Sequence, residues 1–145
     1  MRGRRVLGLG TALVVLSFAS WGCGGARGKM PELGKVNGKV TYNGKPVTKG
    51  TVSFVPTSPG RRNATGTLDP NGYYKLQTET AGDGAELGDY DVTIFSHDEP
   101  ILDYKPKVPV KPQPLVPTKY ENPKTSGLKR TVKSGSNTFD FELTD

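Results

Sequence analysis

The most distinctive chemical group in this chain is its only cysteine, Cys23, in the stretch LSFASWGCGG. A cysteine thiol can form a disulfide, stay free or be modified, and a single cysteine has no disulfide partner in its own chain. Cys23 follows an apolar run and precedes two glycines. We therefore expect its sulfur to be free, to pair between molecules or to be covalently modified.

The residues before Cys23 have the pattern of an export signal. Three arginines lie in the first five residues, and residues 6–18 are apolar or small and carry no charge. A basic start followed by an apolar run of about 7–15 residues is typical of a secretory signal peptide. The run is shorter than the ~20 residues of a transmembrane helix. We therefore predict a signal peptide over residues 1–22.

The junction itself, Gly22 followed by Cys23 and two glycines, resembles the lipobox of bacterial lipoproteins. That family usually has Leu where Ser20 stands and a smaller residue than Trp21. The resemblance implies cleavage before Cys23, acylation of its thiol, and an exported protein held on a bacterial membrane by an N-terminal lipid. Two or three acyl chains anchor a protein stably. The alternative is an ordinary signal peptide, cut elsewhere, that leaves Cys23 as a free thiol.

His97, the only histidine, lies between Ser96 and Asp98 in the stretch SHDEP. These residue types form nucleophilic triads, but adjacent residues on an extended chain point to opposite sides. They therefore do not form a triad by themselves. One histidine and one cysteine are also too few for an ordinary zinc site. We predict that His97 is a solvated residue at a strand end, and we expect neither a catalytic residue nor a cofactor.

Four acidic residues lie close together in TAGDGAELGDYD, namely Asp83, Glu86, Asp89 and Asp91. Clustered carboxylates can hold calcium, which takes about six to eight oxygen ligands. The spacing does not match the EF-hand pattern, and the intervening glycines are typical of turns. We therefore expect no metal here, with Asp89 and Asp91 facing water from a strand.

Charge and length limit the classes of function. Removal of the signal peptide lowers the formal charge from +6 to +3 and leaves 123 of the 145 residues. This length suits one domain. A mildly basic chain without dense basic clusters is unlike a nucleic-acid binder. Residues 23–34 are glycine-rich and show no periodicity, so we predict a flexible tether there.

From residue 35 onward, apolar and polar residues alternate, as in β-strands. Turns are predicted at Asn43-Gly44 and at Asp69–Gly72, because Asn and Gly tolerate positive φ and Pro presets it. About seven short strands, with no helical period, predict an all-β sandwich over residues 35–145. The apolar side chains expected on its buried faces are Val36, Val40, Tyr42, Val52, Phe54, Tyr90, Val92, Ile94, Phe139, Phe141 and Leu143.

Four segments, in this order, resemble small lipoproteins of planctomycete-type bacteria with a carboxypeptidase regulatory-like, or transthyretin-like, domain: GKVTYNGKPVTKGTVSFVP, ATGTLDPNGYYKL, GDGAELGDYDVTI and PTKYENPKTSGLKRTVKSGSNTFDFEL. The resemblance covers residues 35–143. It implies a seven-stranded transthyretin-like (prealbumin-like) sandwich. It implies little about function, because in carboxypeptidases this domain is an accessory to the catalytic one, and a fold does not settle a function.

The segment 97–127 departs from the strand pattern and contains seven prolines. Proline favours an extended chain, and a connection of this length is usually functional or disordered. Between Lys105 and Lys133 there are eight basic residues and one acid, Glu121. The alternative is a solvated crossover that shields a sheet edge. Our candidates for contact with an anionic envelope glycan, lipid headgroup or acidic protein are Lys105, Lys107, Lys111 and Lys119.

Two classes of function remain. The first is a non-catalytic, lipid-anchored module of the cell envelope that is structural or binds protein or glycan. The second is a ligand-carrying or accessory subunit of an envelope enzyme, which would need polar groups converging in an apolar concavity. Two or more coplanar exposed rings on one surface would favour glycan binding. The candidate rings are Tyr73, Tyr74, Tyr104 and Tyr120.

Overall fold

The computed structural model describes residues 31–98 and 111–145, and within these ranges the chain is all-β, with no α-helix. The prediction of an all-β fold is therefore confirmed. One short 3-10 helix covers Thr118–Glu121. The strands are, in chain order, β1 (Leu33–Tyr42), β2 (Lys45–Pro46), β3 (Thr51–Pro56), β4 (Ala64–Thr67), β5 (Tyr73–Lys75), β6 (Ala85–Glu86), β7 (Gly88–Phe95), β8 (His97–Asp98), β9 (Gln113–Pro114), β10 (Leu128–Val132), β11 (Gly135–Thr138) and β12 (Phe141–Leu143).

The long strand β1 is the centre of a six-stranded sheet. On one side it pairs in parallel with β11 and then with β12, near the end of the chain. On its other side it pairs antiparallel with β6, β5 and β2. Asn43 and Gly44 have φ of 48° and 78° and join β1 to β2. The predicted two-residue turn is confirmed.

A second sheet is antiparallel throughout and has the strand order β10-β7-β3-β4. The core lies between this sheet and the β1-centred sheet, so the arrangement is sandwich-like. Phe54 of the second sheet and Phe141 of the first have ring centroids 6.3 Å apart. Tyr90, Val92 and Ile94 of β7 are buried, as the alternation predicts, and Thr93 between them is buried as well.

The turn at Asp69–Gly72 forms as predicted. The N–H of Gly72 donates to the Asp69 carbonyl oxygen at 2.9 Å, and the Asp69 Oδ1 accepts the N–H groups of Asn71 and Tyr73 at 2.8 and 2.9 Å. The flanking strands β4 and β5 lie in different sheets, and a bridge joins Thr65 of β4 to Gln77, two residues beyond β5. The turn therefore passes the chain from one layer to the other, which the local sequence does not reveal.

At the amino-terminal end, β1 begins at Leu33, inside the segment 23–34 that was predicted to be a tether. Gly34 pairs with both Gly135 and Ala85, so the sheet starts there. Cys23 and the predicted signal peptide lie outside the described residues. No helix in the described part of the chain is long and apolar enough to cross a membrane.

The described parts of the proline-rich segment contain regular secondary structure, namely β8, β9 and the 3-10 helix. Strand β8 pairs with β9 through His97–Pro114 and Asp98–Gln113. Beyond β9, Val116 and Tyr120 are buried in the core cluster, and the Tyr120 hydroxyl donates to the Thr144 carbonyl oxygen at 2.9 Å. Burial of these apolar groups explains why residues 111–127 pack onto the domain and do not simply bridge it.

Candidate functional site

A trough of about 720 Å³ runs along the outer face of the β1-centred sheet. Its walls carry outward side chains of β1, β5 and the β11–β12 region, including Asn37, Lys39, Tyr73, Lys75, Gln77 and Asp140. A second concavity of about 550 Å³ shares three of these residues and extends past Lys35. We refer to the two concavities together as the trough.

The strand alternation places these side chains together. Val36 and Val40 point into the core, so Asn37 and Lys39 point outward. The same rule turns Tyr74 inward and leaves Tyr73 and Lys75 outside. Antiparallel pairing sets Asn37 opposite Lys75 and Lys39 opposite Tyr73. One polar surface therefore forms from residues far apart in the chain.

The floor of the trough is tightly packed. A Cβ on Gly38 would collide with the Phe139 carbonyl oxygen, so only glycine fits at this position without a shift. Tyr74 packs against the Phe141 ring and donates its hydroxyl to the same Phe139 oxygen at 2.7 Å. Burial raises the pKa of Tyr74 well above that of an exposed phenol. This hydroxyl therefore stays protonated and holds the floor together through its hydrogen bond.

Tyr73 is the exposed ring of the trough, with 53% of its surface accessible. Its backbone is held by the Asp69 turn, and Lys39 Nζ lies 5.2 Å from its ring centroid. Of the other candidate rings, Tyr74 and Tyr120 are buried, and Tyr104 lies outside the described residues. A pair of coplanar exposed tyrosines is therefore not found in the part of the chain that the structure describes.

The charged groups of the trough are unevenly paired. None of Lys35, Lys39 and Lys75 is within salt-bridge distance of a carboxylate belonging to residues 31–98 or 111–145. The two acids in the trough instead accept backbone N–H groups, Asp140 from Lys39 at 2.8 Å and Asp69 from its own turn. The ammonium groups are thus available to a ligand.

His97 is not the solvated strand-end residue that was predicted. Its side chain is only 18% exposed, its Nε2 lies 2.7 Å from Glu121 Oε1, and its ring stacks on Phe95 at 4.1 Å. The 3-10 helix brings Glu121 to it. Ser96 is buried and donates its hydroxyl to the Lys49 carbonyl oxygen at 2.6 Å, while Asp98 pairs with the Lys49 ammonium. The structure therefore does not bring the three residues of this stretch together as a triad.

The acidic cluster is dispersed by the fold. The Asp83 carboxylate accepts the N–H groups of Thr78, Glu79 and Thr80. Burial acts to raise the pKa of Asp83, but the hydrogen bonds from Thr80 and Thr78 outweigh it, so the pKa is lowered. Glu86 is buried, whereas Asp89 and Asp91 face the second sheet's outer side. Among the described residues, no group of three or more His, Cys, Asp or Glu side chains could hold a metal ion.

The structure describes two of the four candidate lysines of the crossover. Lys111 and Lys119 are exposed, and Lys119 Nζ lies 5.0 Å from the Tyr120 ring centroid. Lys105 and Lys107 lie outside the described residues. Lys129 is paired with an acid across the second sheet.

Arg130 faces inward from β10. Its guanidinium lies 4.6 Å from the Phe141 ring centroid and donates to the Asp140 carbonyl oxygen at 3.2 Å. Cation–π contact and burial of its stem make it part of the packing. The alternation of Leu128, Arg130 and Val132 was the available sequence signal for this inward position.

The trough was missed from sequence because its residues come from segments up to about a hundred positions apart, such as Lys39 and Asp140. Its one local signal is that polar residues alternate with the buried ones in VNGKV and YYKLQ. An exposed ring, amides and unpaired ammonium groups suit the binding of a polar ligand. Comparisons with protein-family models, with curated proteins and with solved structures found no match to this chain.

Proposed function

We propose that this chain is a non-catalytic, lipid-anchored module of a bacterial cell envelope that displays the trough as a glycan- or protein-binding surface. The observation that carries the proposal is the position of Cys23, at the end of the apolar run and ten residues before β1 begins at Leu33. A lipid on Cys23 would hold the domain close to the bilayer through a short glycine-rich tether.

We further propose that the domain is a transthyretin-like sandwich of the carboxypeptidase regulatory-like kind. Two sheets that enclose one aromatic-rich core support this assignment, as does the strand order β10-β7-β3-β4. In carboxypeptidases such a domain accompanies a catalytic domain and is itself an accessory. A binding or structural role follows from this comparison.

The crossover lysines supply a second contact in this proposal. Lys111 and Lys119 are exposed, which supports their access to an anionic partner at the envelope. Basic side chains beside a lipid anchor add attraction to anionic headgroups, and salt weakens this attraction. Lys105 and Lys107 would extend the same contact along the chain.

The alternative function is a ligand-carrying or accessory subunit for an envelope enzyme. The first concavity of the trough favours this alternative, because its volume of about 720 Å³ falls within the range of about 300–1,000 Å³ for small-molecule sites. Its lining of amides, lysines and one exposed ring suits a polar ligand. This alternative needs an enzyme partner that receives the ligand.

Intact-mass analysis of the mature protein, with membrane fractionation, tests the anchor. We expect cleavage before Cys23, added acyl mass, and recovery in the membrane fraction. Cys23→Ser should block processing or release the protein, because the thiol is the acylated atom. Ser20→Leu, which introduces the usual lipobox residue, is the matched control and should stay acylated. A mature protein with an unmodified Cys23 thiol would contradict the proposal.

A further inference from the structure

We infer that the trough binds an acidic polysaccharide, meaning a linear chain of sugars that carries repeated carboxylates. This inference rests on the proposed function and specifies the ligand of that binding surface. It is carried by the unpaired ammonium groups that lie beside one exposed aromatic ring.

The first argument is that the lysines of the trough are spread along the sheet. Lys35 and Lys39 lie four residues apart on the same face of β1, which separates their backbone positions by about 13 Å. Lys75 lies on the neighbouring strand β5, beside Asn37 and so midway between them along β1. The three lysine backbone positions therefore extend along about 13 Å of the sheet. Such a distribution suits a linear polyanion better than a single small anion.

The second argument is that the three ammonium groups are not held in salt bridges by the described residues. The sheet register sets Lys35 opposite Ser136, and Lys39 lies between Tyr73 on one side and Asp140 on the other. Asp140 uses Oδ1 to accept the backbone N–H of Lys39, while the Lys39 ammonium lies against the Tyr73 ring. Three lysines against Asp69 and Asp140 leave the lining of the trough with a net positive charge, and charge complementarity favours an acidic ligand.

The third argument concerns sugars in particular. Tyr73 presents an amphipathic ring in the trough, and such a ring can stack on the apolar face of a sugar. Asn37 and Gln77 line the same trough with amides that both donate and accept hydrogen bonds. The Thr138 hydroxyl donates to Asn37 Oδ1 at 3.0 Å, which leaves the Asn37 amide nitrogen to donate to a ligand hydroxyl. Ring, amides and lysines together match a chain of hydroxyls and carboxylates.

The test measures binding of the full chain, purified in detergent, to immobilised polygalacturonate and to neutral dextran. The wild-type protein should bind polygalacturonate, with an affinity that falls as the salt concentration rises. It should not bind dextran. The triple variant Lys35→Gln/Lys39→Gln/Lys75→Gln should weaken binding at least about tenfold. Tyr73→Ala should weaken it by about tenfold, because a few aromatic and charged side chains carry most of the binding energy of an interface. The matched control removes three exposed lysines outside the trough, Lys45→Gln/Lys124→Gln/Lys133→Gln, and should retain wild-type affinity.

Several results would overturn the inference. Equal loss in the control variant would mean that general charge, and not the trough, binds the polymer. If dextran bound as tightly as polygalacturonate, the trough would bind glycans without requiring an acidic ligand, and the inference would be rejected. Displacement of the polymer by millimolar inorganic phosphate would indicate a phosphate site, and absence of any binding would reject the trough as a glycan site. None of these results affects the anchor, which the mass of Cys23 tests separately.

Discussion

The two outer faces of this sandwich-like fold differ in how their charged side chains are paired. On the second sheet, Lys129 lies directly opposite Asp91 with an Nζ–Oδ1 distance of 3.3 Å, and the Thr131 hydroxyl donates to Asp89 at 2.6 Å. On the first sheet, Lys39 faces the Tyr73 ring. Cross-strand pairing satisfies the polar groups of one face, whereas the other keeps its ammonium groups available.

This difference separates a face that completes the fold from a face that can bind a partner. Strand alternation is the same in both sheets and makes both outer faces polar. Only the register decides whether a lysine meets an acid, a ring or an amide. The pairing of side chains across the strands, and not the residue composition of the two faces, therefore distinguishes the face that carries the candidate site.

The largest expected effect comes from the core that both faces share. Phe141 is 1% exposed and contacts Phe54, Tyr74 and the Arg130 guanidinium. Phe141→Ala should lower the free energy of unfolding by about 3–5 kcal/mol, because it removes buried surface and leaves a cavity. Chemical denaturation measures this change. The exposed neighbour Glu142 is the control, and Glu142→Ala should stay within about 0.5 kcal/mol. Similar losses for the two variants would refute the strand register.

A smaller effect on stability is expected from a substitution in the floor of the trough. In Gly38→Ala the new Cβ meets the Phe139 carbonyl oxygen, so β1 and the β11–β12 connection must move apart. We expect a loss of about 1–3 kcal/mol, as for overpacked cores, together with weaker ligand binding. Glu142→Ala, at an exposed position of the same sheet outside the trough, should leave both unchanged. A stable Gly38→Ala protein with full ligand binding would contradict the proposed tight floor.

The smallest effect sharpens the contrast between the faces. A double-mutant cycle on Lys129→Gln and Asp91→Asn should give a coupling energy of about 0.2–1 kcal/mol, reduced by salt, as for exposed ion pairs. Lys39→Gln should remove only the contact with the Tyr73 ring, and a Lys39→Gln/Asp140→Asn cycle should give no coupling energy, because the Lys39 ammonium pairs with no acid among the described residues. Thermal or denaturant unfolding at low and high salt measures both cycles. Equal coupling energies in the two cycles would remove the distinction between the faces.

Much of the fold could be predicted from local patterns. The alternation in β7 identified Tyr90, Val92 and Ile94 as buried, and Phe141 and Leu143 followed the same rule. The turn residues were equally informative, since positive φ at the Asn43-Gly44 turn is a local property of the backbone. These features depend on neighbours within a few positions, so the sequence contains them directly.

Other features could not be read from local patterns. His97 was expected in water, but Phe95 and Glu121 cover it, and Glu121 arrives from a different part of the chain. Strands β4 and β5 flank one turn and yet join different sheets. Although they belong to different sheets, β4 and β5 approach each other closely at Gly66, where an added Cβ would lie 2.6 Å from the Lys75 carbonyl oxygen.

Local sequence specifies which residues alternate, where the chain turns, and that one cysteine follows an apolar run before the domain. These properties arise from side-chain polarity and backbone preference at neighbouring positions. The pairing of β1 with the last strands is a property of the three-dimensional fold, and it places Lys39 in one trough with Asp140, 101 positions away. Such pairing depends on which buried faces meet across the core, and local sequence does not specify that choice.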